Sequence, residues 1–157
     1  MEDFAVTHDQ MENVARTIYN FMPPTPQYNW PLLSQRVGTE VWVKHENHTP
    51  TGAFKIRGGL VYVEYMGGKE NTSFEFIAAT RGNHGQSVAT AASHKGFSSR
   101  IVVPEGNSKE KYCSMVAPGA EVLTYGKDFQ RNSMGFRRNS EEFTAIPWDS
   151  QRNAKDF

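Results

Sequence analysis

Residues 74–124 read FEFIAATRGNHGQSVATAASHKGFSSRIVVPEGNSKEKYCSMVAPGAEVLT. Phe74 to Ala79 is a short apolar run of the kind a buried strand carries. Gly82-Asn83-His84 then leads into a helix from about Gly85 to Lys95, with Gly96 placed to cap its end. Arg100 to Val103 is a second strand, stopped by Pro104. Ser108 is placed as the N-cap of a helix reaching about Ala117. Pro118-Gly119 breaks that helix, and Ala120 to Thr124 is a third strand. Strands alternating with helices over short links predict an α/β fold: an open parallel sheet with crossover helices. Right-handed crossovers would make that sheet doubly wound.

Upstream, Met11, Val14, Ala15, Ile18, Tyr19 and Met22 recur at helical spacing over residues 8–22, and Pro23-Pro24 ends the run. Residues 23–38 read as a Pro-rich arm closing in a turn from Leu32 to Gly38. Glu40 to Lys44 alternates as a strand does, residues 46–54 form a polar loop, and Lys55 opens a helix to about Met66. After Lys127 the apolar periodicity stops, and residues 127–157 read as an irregular tail. The expected organisation is a helical arm over 1–38, an α/β domain over 39–126 and that tail.

Composition narrows the function classes. Lys+Arg and Asp+Glu both number 17, so nothing in the net charge points to nucleic acid or a membrane surface. Mean hydropathy is −0.62, polar for a packed domain, as an irregular tail would make it. Cys113 is the single cysteine, which excludes an intrachain disulfide and reads as a small half-buried side chain. No apolar run suits a signal peptide or a membrane span, so a cytoplasmic protein is expected. His45 and His48 stand three apart without a cysteine nearby, and no metal site is expected. Lys109, Lys111, Glu105 and Glu110 read as a solvated helix face.

Two segments carry chemistry. In Thr49-Pro50-Thr51-Gly52-Ala53-Phe54-Lys55-Ile56-Arg57-Gly58-Gly59 a lysine sits at a loop-to-helix junction. Gly52 and Ala53 let backbone approach a ligand, and Phe54 and Ile56 would wall off water. Such desolvation makes an amine nucleophilic, as Schiff-base chemistry requires. In Ala79-Thr80-Arg81-Gly82-Asn83-His84-Gly85-Gln86-Ser87 a buried strand passes into a helix, where open α/β sheets bind ligands. Free N–H groups at the helix start suit a carboxylate or phosphate, Arg81 can fork a carboxylate, and Asn83 can donate to a phenolate oxygen. The plainer reading is an ordinary helix start capped by Thr80 or Asn83.

Taken together, the segments resemble the fold type II pyridoxal-phosphate enzymes, and within them the threonine/serine dehydratases. The family's lysine motif, Ser/Thr-Gly-Ser/Ala-Phe-Lys-x-Arg-Gly, is matched from Thr51 to Gly58, and its asparagine loop at Gly82, Asn83, His84 and Gln86. The strand and loop before the lysine, and Ile101 to Val122, are similar too, so the resemblance covers about residues 10–130. It implies a partial fold type II fold with pyridoxal 5′-phosphate as cofactor. Lys55 would bond the cofactor and later move the substrate's α-proton, Asn83 would hold the 3′-oxygen, and Phe54 would pack near the ring. Thr80, Arg81, Gly82 and His84 would line the substrate-carboxylate loop. The implied reaction is β-elimination from a hydroxy amino acid, giving a 2-oxo acid and ammonia.

Departures from the family pattern matter. Many members, serine racemases among them, carry a second serine where this chain has Arg81, which argues against racemisation and suggests an acidic or modified hydroxy amino acid as substrate. The family's glycine-rich phosphate loop and its serine or cysteine partner for the pyridine nitrogen have no counterpart here. Cofactor affinity is expected to fall by several kcal/mol, at about 1.5–3 kcal/mol per charge-assisted hydrogen bond. The alternative function is therefore a truncated, non-catalytic remnant of such an enzyme. A nucleotide-binding module built on the Thr80–Asn83 helix start is a third reading, and it leaves Lys55 unexplained. The expected partner is a small amino-acid substrate; association of the chain into a homo-oligomer is compatible with each reading.

Overall fold

The computed structural model describes residues 6–68 and 75–127, so the expected tail lies outside the described residues, as does Phe74. Helix α1 (His8–Phe21) starts at a reciprocal cap. Thr7 Oγ1 accepts from the Gln10 backbone N–H at 3.2 Å, and Gln10 Oε1 accepts from the Thr7 N–H at 2.9 Å. Of its predicted apolar face only Ile18 and Met22 are fully buried; Met11, Val14 and Tyr19 are exposed.

The segment expected to be a Pro-rich arm is more regular than that. Strand β1 (Gln27–Asn29) pairs antiparallel with β2 (Trp42–Lys44), Tyr28 standing opposite Val43. Between them lies α2 (Pro31–Val37), a short helix rather than the predicted turn. Pro31 fits its first position because a helix leaves that N–H unused, and Gly38 ends it at φ 73°. Pairing across α2 joins residues on both sides of position 38.

The main sheet holds β3 (Glu75–Ala79), β4 (Ser98–Val103) and β5 (Glu121–Thr124), all parallel and in that order. Helices α4 (Asn83–His94) and α5 (Lys109–Val116) make the crossovers. Phe76, Ala78, Ile101 and Val103 share one buried cluster with Val88 and Ala92 of α4 and Met115 of α5. Because the strand order never reverses, both crossover helices lie on the same face and touch each other. The doubly wound arrangement is thus not formed among the described residues. On the opposite face Arg100 bridges its strand neighbours, to Glu75 at 3.2 Å and Glu121 at 2.7 Å. Ser108 precedes α5 as expected, but its side chain makes no cap hydrogen bond. Cys113, two positions before the buried Met115 and therefore turned to the other side of α5, is exposed rather than half-buried.

Helix α3 (Lys55–Gly67) packs on α4, α1 packs on α3, and the Tyr62 ring of α3 meets Phe76 of β3 edge-on at 6.2 Å. The α3–α4 contact is close. A methyl group built on Gly59 would lie 2.2 Å from Ser87 Oγ and 3.0 Å from the Ser87 carbonyl oxygen, so only glycine admits this approach.

Candidate active site at the start of two helices

The loop before α3 is held by short bonds. Thr49 Oγ1 both accepts from the Ala53 N–H and donates to the Ala53 carbonyl, each at 2.9 Å. Gly52, at φ 65°, takes the left-handed conformation that turns the chain. The turn delivers Phe54 to the cap position and Lys55 to the first position of α3.

Arg57, one residue beyond Ile56 in the same motif, points back rather than into the site. Its Nε and Nη2 donate to the two oxygens of Glu46 at 2.8 and 3.0 Å, and Thr25 Oγ1 donates to Glu46 Oε1 at 2.7 Å. The Arg57 hydrogen bond holds the Glu46 carboxyl below its usual range, and Glu46 in turn raises the guanidinium. This fork ties the start of α3 to the 3₁₀ turn Glu46–His48 and to the residue following the Pro23-Pro24 pair.

Helix α4 opens without a side-chain cap. Gly82 occupies the cap position, and no acidic residue lies in the first turn. Neither Thr80 nor Asn83 caps it: the buried Thr80 hydroxyl accepts from the Gly82 N–H at 3.2 Å. Gln86 N–H, bonded to the Gly82 carbonyl at 3.2 Å, is the first to find a helical acceptor. The preceding N–H groups of Asn83, His84 and Gly85 have none within the helix and carry its positive dipole end.

Ser87 brings the two helix starts together. Its Oγ donates to the Lys55 carbonyl at 2.7 Å. Asn83 lies four residues earlier, one turn toward the start of α4 on the face that carries Ser87. His84 registers the proximity: burial first, and the Lys55 charge second, hold its imidazole below the ordinary histidine range. Lys55 is half-buried, with Nζ 5.2 Å from the centre of the Phe54 ring. Phe54 itself is 58% exposed, so it does not wall off water as predicted; Ile56, fully buried, turns the other way into the core. Arg81 and Asn83 are exposed, and Gly82 and His84 are half-buried.

Two residues here are not legible as site residues in the sequence. Ser87 reads there only as part of a helix. Lys111 reads as part of a solvated face; it is exposed, but its stem lies against the loop. A methyl group built on Gly82 would meet Lys111 Cδ at 3.3 Å and Nζ at 3.8 Å. A signal for it exists: Lys111 stands four residues before Met115, whose sulfur packs under Gly85, so the two share a face of α5. Elsewhere, His45 accepts from Trp30 Nε1 at 3.3 Å and stacks edge-on with His48, and no group of metal-ligating side chains occurs among the described residues.

A family model described as pyridoxal-phosphate dependent enzyme matches residues 18–150. The chain is 34% identical over 112 residues to the biosynthetic L-threonine dehydratase of Pasteurella multocida, covering 71% of this chain and 22% of that protein. It is 30% identical to the L-threonine ammonia-lyase of Thermotoga maritima, over 90% of this chain and 35% of that one. To the L-threo-3-hydroxyaspartate ammonia-lyase of Saccharomyces cerevisiae it is 29% identical, over 90% and 44%. Among solved structures, a pyridoxal 5′-phosphate-dependent aspartate racemase superposes with a TM-score of 0.80 at 26% identity, covering 93% of this chain and 46% of that one. A T.th. threonine deaminase gives 0.71 at 28%, over 89% and 44%. The chain thus spans less than half the length of each of these proteins. The donor set fits the cofactor these matches imply: a primary amine for its aldehyde at the start of α3, a carboxamide at the start of α4, and an uncapped helix end for an anion. By motif, fold and matched length, this chain belongs to the pyridoxal-phosphate dependent enzymes of fold type II.

Proposed function

We propose that the chain carries the lysine-bearing part of a site for β-elimination from hydroxy amino acids, yielding a 2-oxo acid and ammonia. The observation that carries this reading is that the helix opened by Lys55 and the helix opened by Asn83 are bolted together by the hydrogen bond from Ser87 to the Lys55 carbonyl. When bound, pyridoxal phosphate supplies the sink for the negative charge that develops at the substrate α-carbon. Lys55 Nζ would hold the cofactor at its aldehyde carbon and would move the substrate's α-proton. The Asn83 amide would donate to the 3′-oxygen, and Phe54 would pack near the ring. Thr80, Arg81, Gly82 and His84, with the backbone N–H groups at the start of α4, would seat the substrate carboxylate. His84, whose protonation is disfavoured by burial and by Lys55, stays neutral there near pH 7. A cytoplasmic location is part of the proposal. No helix among the described residues is long and apolar enough to cross a membrane.

The test uses the full chain incubated with pyridoxal phosphate and reduced with borohydride. A mass increment on the Lys55 peptide, absent in Lys55→Ala, is expected, along with 2-oxo acid release from a hydroxy amino acid. Equal labelling of all lysines would refute the assignment.

A further inference from the structure

Trp30 gathers in the excursion between β1 and β2. Its backbone N–H donates to the Val41 carbonyl at 3.1 Å, and its carbonyl accepts from the Ser34 N–H at 2.9 Å and from Ser34 Oγ at 3.0 Å. Ser34 Oγ in turn accepts from the Val41 N–H at 2.9 Å. The indole reaches beyond this group. Its Nε1–H donates at 3.3 Å to Nε2 of His45, the residue that heads the 3₁₀ turn whose Glu46 braces α3.

An indole N–H can only donate, so this bond requires a bare Nε2, and the neutral ring must carry its proton on Nδ1. Protonation puts an N–H on both ring nitrogens and sets donor against donor. The charged ring has an alternative attraction at hand. The Tyr28 and Trp30 ring centres lie 5.5 and 5.8 Å from its own, within the range at which aromatic faces attract a cation. Two arrangements thus compete: indole edge to neutral imidazole, and aromatic face to imidazolium. The other charged and titratable groups nearby are engaged elsewhere or uncommitted to either. Lys44 Nζ donates to the Thr25 carbonyl at 3.2 Å, and Glu40 accepts from Asn29 at 3.0 Å. The Glu46 carboxylate is taken up by Arg57 and Thr25, which keeps it ionised while imidazoles titrate. Arg36 lies in the last turn of α2, and the His48 ring stands edge-on at 6.0 Å. Among the described residues no carboxylate pairs with His45, so charging it gains no ion pair there. We propose that Trp30 and His45 form a proton-operated latch, which holds the α2 excursion to the turn ahead of α3 at neutral pH and releases it in mild acid.

The test is side-chain and amide NMR of the full isotope-labelled chain. Between pH 8 and pH 5, the interval in which imidazoles charge, the Trp30 indole N–H signal should move upfield with the same midpoint as His45 Cε1–H. Neutral His45 should show the nitrogen shifts of the Nδ1–H tautomer. Over that interval the amide protection of Trp30 and Val41, corrected for intrinsic exchange, should fall about two- to tenfold, the weight of one neutral hydrogen bond. His45→Gln, whose Oε1 accepts at every pH, should hold indole signal and protection constant, and His48→Gln should leave the wild-type response in place. The latch is overturned by an indole signal that stays put while His45 titrates, by an Nε2–H tautomer, or by protection that does not fall. A response that survives in His45→Gln or vanishes in His48→Gln overturns it as well. The first three readings use the wild-type chain alone, so a variant that fails to fold leaves the test standing.

Discussion

Gly58 and Gly59 are adjacent, share a helix and face opposite fates. A methyl group on Gly58 would meet nothing within 4 Å, whereas one on Gly59 would collide with Ser87. Gly58→Ala should therefore stabilise the fold by about 0.5–1 kcal/mol, since alanine loses less backbone entropy on entering a helix. Gly59→Ala should destabilise it by about 1–3 kcal/mol, the usual cost of overpacking. Urea unfolding of both variants checks this, and a shared sign would contradict the α3–α4 geometry. At this scale the sequence is only partly informative. Lys55 and Asn83 can be recognised because their neighbours form compact motifs. The roles of Ser87 and Lys111 depend on which residue faces which across two helices, which a one-dimensional pattern does not encode.

Among the elements, α3 depends most on a contact outside itself. The Arg57–Glu46 fork crosses from its first turn to the 3₁₀ turn and, through Thr25, to the segment ahead of β1. Removing the guanidinium in Arg57→Met should cost about 1.5–3 kcal/mol, as for a hydrogen-bonded charged pair. The pH dependence follows from the lowered Glu46 pKa. The unfolded chain binds a proton on this carboxyl before the folded one does, so the stabilisation is complete above the unfolded glutamate value of about 4.3 and is lost as pH falls through the lower folded value. Denaturant midpoints between pH 6 and pH 3 should accordingly drop less in Glu46→Gln than in wild type. The main-sheet strands and their crossover helices can be read in sequence because their apolar runs are long enough to show a period. β1 and α2 cannot: three residues beside Pro26 are too few to alternate, and Pro31 both starts the helix and imitates a turn signal.

Across the whole molecule, 17 basic and 17 acidic side chains cancel, with a sequence pI near 7.0. Self-association should be greatest near neutral pH and weaken as net charge grows on either side; light scattering against pH checks this. The layering of helices on one sheet face follows from the alternation of strands and helices, but the absence of a second helical layer among the described residues depends on strand order, which local sequence does not state. The bond from Ser87 to the Lys55 carbonyl has a last consequence for how such a site can work. It nails down the root of the lysine, so the amine travels by rotation about its own side-chain torsions, like a crane arm on a fixed mast. Arm length then sets where the nitrogen lands, and a misplacement of about 1 Å is enough to cost about a hundredfold in rate.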